Sequence, residues 1–325
     1  VNLTTEKQAA MNRLSTETGK ISALAIDQRG ALKKMMNALG MDATAEQISE
    51  FKILVSSELT PFASAILLDP EYGLPAANAR DEQAGLLLAY EKTGYDATKP
   101  GRLPDLLEDW SALRLKIAQA DAVKFLLYYD VDEDPAINHV KHVFVERLGS
   151  ECAGEDRPFY LELVSYDATI TDSNSIEYAK IKPHKVIEMM KEFSRPNYKV
   201  DVLKVEVPVN MNYVEGFATS ETCYTQVEAQ EFFKEQSEAT NLPFIFLSAG
   251  VSTKLFQETL VFAHKSGSDF NGVLCGRATW KDGVKAYVES GRAGAIDWLQ
   301  TTGRANIEEL NEVVEQTATP WYEKA

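Results

Sequence analysis

The stretch Asp201-Val202-Leu203-Lys204-Val205-Glu206-Val207-Pro208 places a lysine and a glutamate inside what otherwise reads as a buried strand. Val202, Val205 and Val207 supply the β-branched enrichment of a strand. Period-two alternation puts Lys204 and Glu206 on one face and Leu203, Val205 and Val207 on the other. An unpaired charge in an apolar interior costs several kcal/mol, so the charged face must look into a polar cavity or be paired. A buried Lys-Glu pair explains the two residues equally well when they are taken alone. The rest of the chain separates these readings.

On either side of this stretch, short apolar runs recur, each closing on polar or glycine-containing residues. They are Ile21 to Ile26, ending in Asp27-Gln28-Arg29-Gly30; Ala65 to Leu68, ending in Asp69-Pro70-Glu71-Tyr72-Gly73; and Leu86 to Tyr90, ending in Glu91-Lys92-Thr93-Gly94. Ala122 to Tyr129, Phe159 to Val164, Val202 to Val207, Pro243 to Leu247 and Gly272 to Cys275 follow. Most are succeeded by a helical pattern, and eight such units predict a closed (β/α)8 TIM barrel of the α/β class. No Pro/Gly/Ser-rich linker divides the 325 residues, so one barrel domain spanning 1–325 is expected.

Helix signals support the rhythm. Thr44 with Gln47 and Thr225 with Glu228 have capping-box spacing, and Pro135 suits a first-turn position. Ile176 to Phe193 reads as a helix; Leu113, Ile117 and Ala120 form a short stripe; Asn306 with Glu309 is expected to open the last helix. The helices after the second and third strands are weakly marked.

Thirty-three basic against 49 acidic residues give a net charge of -16, a field that repels nucleic acid and anionic membranes. An anionic substrate must then be drawn in by a local basic pocket. No apolar run approaches the ~20 residues needed to span a bilayer, and the opening residues carry no apolar signal region. Cys152, Cys223 and Cys275 are too far apart for a disulfide framework or a cysteine-rich metal site, so a cytoplasmic setting is expected.

Barrel strands converge at their C-terminal ends, where functional residues should lie. Asp27 closes the first strand, on the face shared with Ala23 and Ala25. Lys124 interrupts Ala-Val-Lys-Phe-Leu-Leu, and Glu162 interrupts Phe-Tyr-Leu-Glu-Leu-Val. With Lys204, four ionisable groups occupy inward positions, a pattern of a reactive centre more than of structural compensation. Two amines and two carboxylates suit chemistry on a carbonyl without a metal. A lysine nucleophile must be neutral, and Lys124 is a candidate for the cation that makes it so, while Glu206 would oppose it. Glu162 is placed to move protons, and Asp27 to hold or deprotonate a substrate hydroxyl.

The last two strands suggest what the substrate carries. Phe246-Leu247-Ser248-Ala249-Gly250-Val251-Ser252 joins a strand to a helix through small residues, and Gly272-Val273-Leu274-Cys275-Gly276-Arg277-Ala278-Thr279 does so with an arginine. Loops at these ordinal positions commonly bind phosphate through backbone N–H groups and, here, a guanidinium fork. Gln28 and Arg29 are candidates to hold a second anionic group at the opposite rim.

Other chemistries fit poorly. None of His139, His142, His184 and His264 lies at a strand end; the first two share a helix face without a third ligand and read as surface histidines. In the acidic run Asp130, Asp132, Glu133, Asp134, Pro135 stands where a calcium loop needs glycine, so a solvated loop is expected. Ser248 has no histidine partner nearby, and no glycine loop matches a nucleotide-binding pattern. No cofactor and no metal are expected.

At Ala-Ile-Asp-Gln-Arg-Gly (25–30), Leu-Leu-Asp-Pro-Glu-Tyr-Gly (67–73), Leu-Lys-Val-Glu-Val-Pro (203–208) and Gly-Arg-Ala-Thr-Trp (276–280), the chain resembles the class I, Schiff-base tagatose 1,6-bisphosphate aldolases. The resemblance covers nearly the whole length. It implies a TIM barrel with Lys204 as the Schiff-base lysine, Glu162 as the proton-transfer residue, and Asp27 and Lys124 in support. It also implies that Gln28, Ser248, Gly250, Leu274, Gly276 and Arg277 contact substrate. The expected partners are a phosphorylated ketose and triose phosphates, with neither nucleic acid nor membrane, in a homo-oligomer such as a dimer. The setting it implies is the tagatose 6-phosphate pathway of lactose metabolism in Gram-positive bacteria. Fructose 1,6-bisphosphate or a sulfonated ketose phosphate as substrate, or a metabolite-sensing role for the same site, remain open at this point.

Overall fold

A computed structural model describes residues 3–92 and 95–324. Eight parallel strands pair in chain order and β8 closes on β1. They are β1 (Ile21–Ala25), β2 (Ala65–Leu68), β3 (Gly85–Ala89), β4 (Ala122–Tyr129), β5 (Phe159–Ser165), β6 (Val202–Val205), β7 (Phe244–Phe246) and β8 (Gly272–Cys275). All eight apolar runs are strands. The sixth stops at Val205, leaving Glu206 and Val207 just beyond it. The third ends at Ala89, and the Thr93 and Gly94 of its expected closing turn lie outside the described residues.

Alternation along each strand divides the core into two shells. Ala23, Ala25, Ala65, Leu67, Tyr160 and Val202 pack inside the barrel, whereas Leu24, Ile66, Leu203 and Val205 pack outward against the helices. Met11 and Leu14, from the helix Thr5–Arg13 and its cap, join the inner cluster with Trp321 of the C-terminal segment. They fill the lower barrel with apolar side chains, so the polar inward residues are confined to the upper mouth. Gly272 is required for closure. Its φ is +141°, and a Cβ there would lie 1.9 Å from the Ile21 carbonyl oxygen across the β8–β1 seam.

The helix signals are realised unevenly. Both capping boxes form, at Thr44–Gln47 and Thr225–Glu228, and each cap contributes about 1 kcal/mol. Pro135 occupies the first turn of Pro135–Gly154, and Ile176–Phe193 is a helix as expected. Asn306 does not open a helix. A π-helical turn, Leu299–Gly303, carries Gly283–Trp298 straight into Arg304–Thr317, leaving no free terminus to cap, and the Asn306 amide donates to the Thr279 carbonyl.

The helices after β2 and β3 are only six residues each, Leu74–Ala79 and Ala112–Ile117. In the latter, Ala112 and Leu115 are buried while Leu113 and Ile117 face outward, so the expected stripe lies on the wrong face. A helix of under two turns presents too few positions for periodicity to choose its buried side. The acidic run is also only partly solvated. Asp130 is buried, accepts from Lys185 and from the backbone N–H groups of Asp132 and Ala168, and so joins the ends of β4 and β5 to the helix Ile176–Phe193. Among the described residues, no helix is long and apolar enough to cross a membrane.

Candidate active site

A cavity of about 450 Å³ opens at the C-terminal ends of the strands, and Asp27, Lys124, Glu162 and Lys204 all line it. Strand register accounts for their convergence: Glu162 lies beside Lys204 across β5–β6, and Leu126 beside Glu162 across β4–β5, with Lys124 one inward position lower. The Lys204 side chain is 5% exposed, and its Nζ lies 2.8 Å from Glu162 Oε1 as an ion pair. The other oxygen of Glu162 lies 2.7 Å from Lys124 Nζ. One carboxylate therefore bridges two buried amines.

Lys124 is enclosed by carboxylates, with Asp27 at 2.9 Å and Glu91 at 2.6 Å in addition to Glu162. Burial alone would favour its neutral form, but the charges of Asp27, Glu162 and Glu91 outweigh this and hold its pKa well above the ordinary lysine range. Lys124 is thus a fixed cation. Burial acts on the carboxylates in the opposite sense, raising their pKa values. Lys124 and Lys204 overcome it at Asp27, which falls far below the usual range, and at Glu162, which is lowered. At Glu91 burial prevails over Lys124 and its pKa is raised.

Two charged residues of the cavity wall find partners within it. Glu206 was expected to act on Lys204 from the same face. Glu206 does line the cavity with Lys204, but its own contacts run to Ser165, where it accepts from the backbone N–H and hydroxyl at 2.7 and 2.6 Å, and to Lys182 at 3.4 Å. The carboxylate beside Lys204 is Glu162. Arg29 was expected to meet an anion at the rim. It does line the cavity, but it is only 4% exposed; its guanidinium pairs with Glu71 at 2.6 Å and donates to the Glu91 carbonyl at 2.9 Å, so its charge is shared with the wall.

Gln28 does face the cavity, and its buried amide oxygen has no hydrogen-bond partner among the described residues. Ser248, Gly250, Leu274, Gly276 and Arg277 line the same cavity from the β7 and β8 side. Ala249 and Gly250 have φ of +49° and +79°, and this left-handed turn brings the Gly250 backbone against the Arg277 guanidinium. Arg277 is exposed, and no carboxylate among the described residues pairs with it. Trp280 donates from its indole N–H to the Ala25 carbonyl at 2.8 Å, tying this loop to β1. Lys52, wholly buried with Asp69, donates to the Ile26 carbonyl at 2.8 Å and so steadies the residue preceding Asp27.

Glu91 is the residue that sequence reasoning passed over, although a signal was present. It continues the inward phase of Leu87 and Ala89 past the strand end. Tyr95, Tyr128 and Lys182 also line the cavity and went unremarked. Of the two helical histidines, His142 is half-buried and shares a hydrogen bond with the Tyr129 hydroxyl at 2.8 Å, so it is not simply a surface residue. Among the described residues, no group of three or more His, Cys, Asp or Glu is placed to hold a metal ion.

Comparison with known proteins extends this geometry. The model of the DeoC/LacD family aldolases matches residues 21–282. A tagatose 1,6-diphosphate aldolase 2 of Enterococcus faecalis is 74% identical over 324 residues, covering 100% of this chain and 98% of its own length. A tagatose 1,6-diphosphate aldolase of Streptococcus pneumoniae is 61% identical over 323 residues, with 99% of each covered. Among solved structures, a fructose-bisphosphate aldolase of Plasmodium falciparum superposes with a TM-score of 0.73 over 98% of both chains at 16% identity, a likeness of fold alone. An eight-stranded barrel whose mouth holds a buried amine–carboxylate–amine bridge, with relatives this close along its whole length, leads to one conclusion: the chain belongs to the DeoC/LacD family of aldolases.

Proposed function

We propose that this chain is a class I aldolase that reversibly cleaves D-tagatose 1,6-bisphosphate to glycerone phosphate and D-glyceraldehyde 3-phosphate through an imine on Lys204. The observation that carries this reading is the contact of the buried Lys204 amine with Glu162, itself held by Lys124. The names of the full-length relatives supply the substrate.

Transfer of a Lys204 proton to Glu162 leaves a free amine beside a protonated acid. The amine attacks the C2 ketone, and Glu162 returns the proton to the carbinolamine oxygen as water departs, giving a protonated imine. That cation accepts the C3–C4 bonding pair when the C4 hydroxyl gives its proton to Asp27, which Lys124 keeps ionised. Glyceraldehyde 3-phosphate leaves, and the remaining enamine is protonated at C3 and hydrolysed to glycerone phosphate and the original lysine. Arg277 with the Ser248–Gly250 turn holds the phosphate next to the ketone, and Gln28 offers its amide to the substrate. Positioning of this kind can contribute ~7 kcal/mol or more.

The family resemblance also suggests a homo-oligomer, such as a dimer, and the three free cysteines suit a reducing cytoplasm. Borohydride added during turnover should leave a reduced triose adduct on Lys204, located by peptide mass mapping. An adduct on another lysine, or none, would overturn the assignment.

A further inference from the structure

A bisphosphate has two anionic ends, and the cavity wall accounts for only one. Arg277 serves the end nearer the ketone, while Arg29, the expected receiver of the other, is neutralised by Glu71 and lies against Glu91. Lys124 is spent on three carboxylates, and Lys182 faces Glu206. In a chain of net charge -16, a second phosphate needs a cation near the mouth that no carboxylate has already claimed.

Arg102 meets that requirement. Tyr95, ahead of the helix Ala112–Ile117, reaches the upper end of β4, where its hydroxyl donates to the Leu126 carbonyl at 2.7 Å. Tyr95 also stacks edge-on against Tyr128, with ring centroids 5.9 Å apart, and both rings line the cavity. Further along, Gly101 and Arg102 have φ of +85° and +43°, a left-handed reversal that a β-carbon-bearing residue rarely adopts. Gly101 packs on Ile137, where an added Cβ would lie 2.5 Å from the isoleucine methyl. The reversal delivers the Arg102 guanidinium over the ring of Tyr128, 5.2 Å from its centroid, and over that of Tyr166 at 4.9 Å.

This contact engages the flat face of the guanidinium and leaves its in-plane N–H donors available. No carboxylate among the described residues pairs with Arg102, which is half-buried. Tyr128 belongs to the same inward series of β4 as Lys124 and Leu126, two and one steps nearer the barrel floor. A ketose fixed at C2 to Lys204, with its near phosphate at Arg277 on the β8 side, extends its far end across the barrel and outward. The β4 rim lies in that direction.

We infer that Arg102, seated on Tyr128 and Tyr166, receives the distal phosphate of the bisphosphorylated ketose and sets the preference for a bisphosphate over a ketose 1-monophosphate. The inference rests on the aldolase reading above. Its test is the ratio of kcat/KM for tagatose 1,6-bisphosphate to that for tagatose 1-phosphate, measured in the whole enzyme and in Arg102→Gln and Arg102→Lys. Loss of a charge-assisted hydrogen-bond pair should lower that ratio about 10- to 100-fold in Arg102→Gln. Arg102→Lys, which keeps the charge but not the fork, should fall between. Inorganic phosphite should stimulate cleavage of the monophosphate by the unaltered enzyme, and do so less in Arg102→Gln. A ratio unchanged in Arg102→Gln, or a fall shared equally by both substrates, overturns the inference. Failure of the unaltered enzyme to cleave either sugar, or to form the Lys204 adduct, would count instead against the aldolase reading.

Discussion

Replacing Glu162 by glutamine tests the bridge between the two amines most directly. The substitution keeps the side chain's size but turns an acceptor of two charged donors into a group with one acceptor and one donor. At 2.8 Å from Lys204 and 2.7 Å from Lys124, the amide can serve only one ammonium; its NH2 must then face the other. Lys124 keeps Asp27 and Glu91 and remains charged, so the barrel should stay folded at a cost of about 1.5–3 kcal/mol for the lost charge-assisted bond. The catalytic loss should be larger. Without a carboxylate to take and return the Lys204 proton, kcat should fall about 10²- to 10⁴-fold, roughly 3–5 kcal/mol of barrier, with KM changed little. Steady-state cleavage would measure this alongside circular dichroism as the folding control. Borohydride trapping should still label Lys204, but slowly, because imine formation is the impaired step. A folded variant with kcat within about threefold of the parent would refute the reasoning, since the proton would then be travelling by another route.

Lys141 offers a prediction about stability and pH. Its ammonium is wholly buried with the Tyr166 hydroxyl as a hydrogen-bonding neighbour at 3.0 Å, and burial lowers its pKa to about 8. The unfolded chain, near 10.5, binds more protons between pH 8 and 10.5, so the destabilisation due to this lysine is full below pH 8 and fades as pH rises through that window. Lys141→Met should therefore raise stability by up to ~3 kcal/mol at pH 7, with the gain shrinking toward pH 10.5; a gain independent of pH in chemical denaturation would contradict the account. Gly250→Ala should raise KM for the bisphosphate, because an L-residue is strained at φ +79° and the added methyl would lie 3.2 Å from the Arg277 guanidinium. Isothermal titration with glycerone phosphate would read the same loss, and unchanged affinity would remove the turn from the phosphate site.

Much of this protein is written into local patterns. Period-two alternation in Val202–Val205 and the lysine-interrupted apolar run Ala122–Tyr129 identified both strands, whose inward positions carry Lys124 and Lys204. Spacing alone also located the capping boxes at Thr44 and Thr225, since a cap joins residues three apart. Such contacts are close in sequence, and their physics is complete within one turn or one strand.

Tertiary structure decided which charges pair, because partners in a barrel come from strands distant in sequence. That Glu91, 33 positions from Lys124, would share its ammonium, and that Arg29 would be neutralised by Glu71, depends on strand register and loop path. The same holds for Glu206, which lines the cavity with Lys204 but is held by Ser165 and Lys182. A sequence states which side chains can ionise and which way a strand turns them. Only the closed barrel, by fixing distances of a few ångströms and excluding water, settles which stay charged, which are spent in pairing, and which are left to meet a substrate.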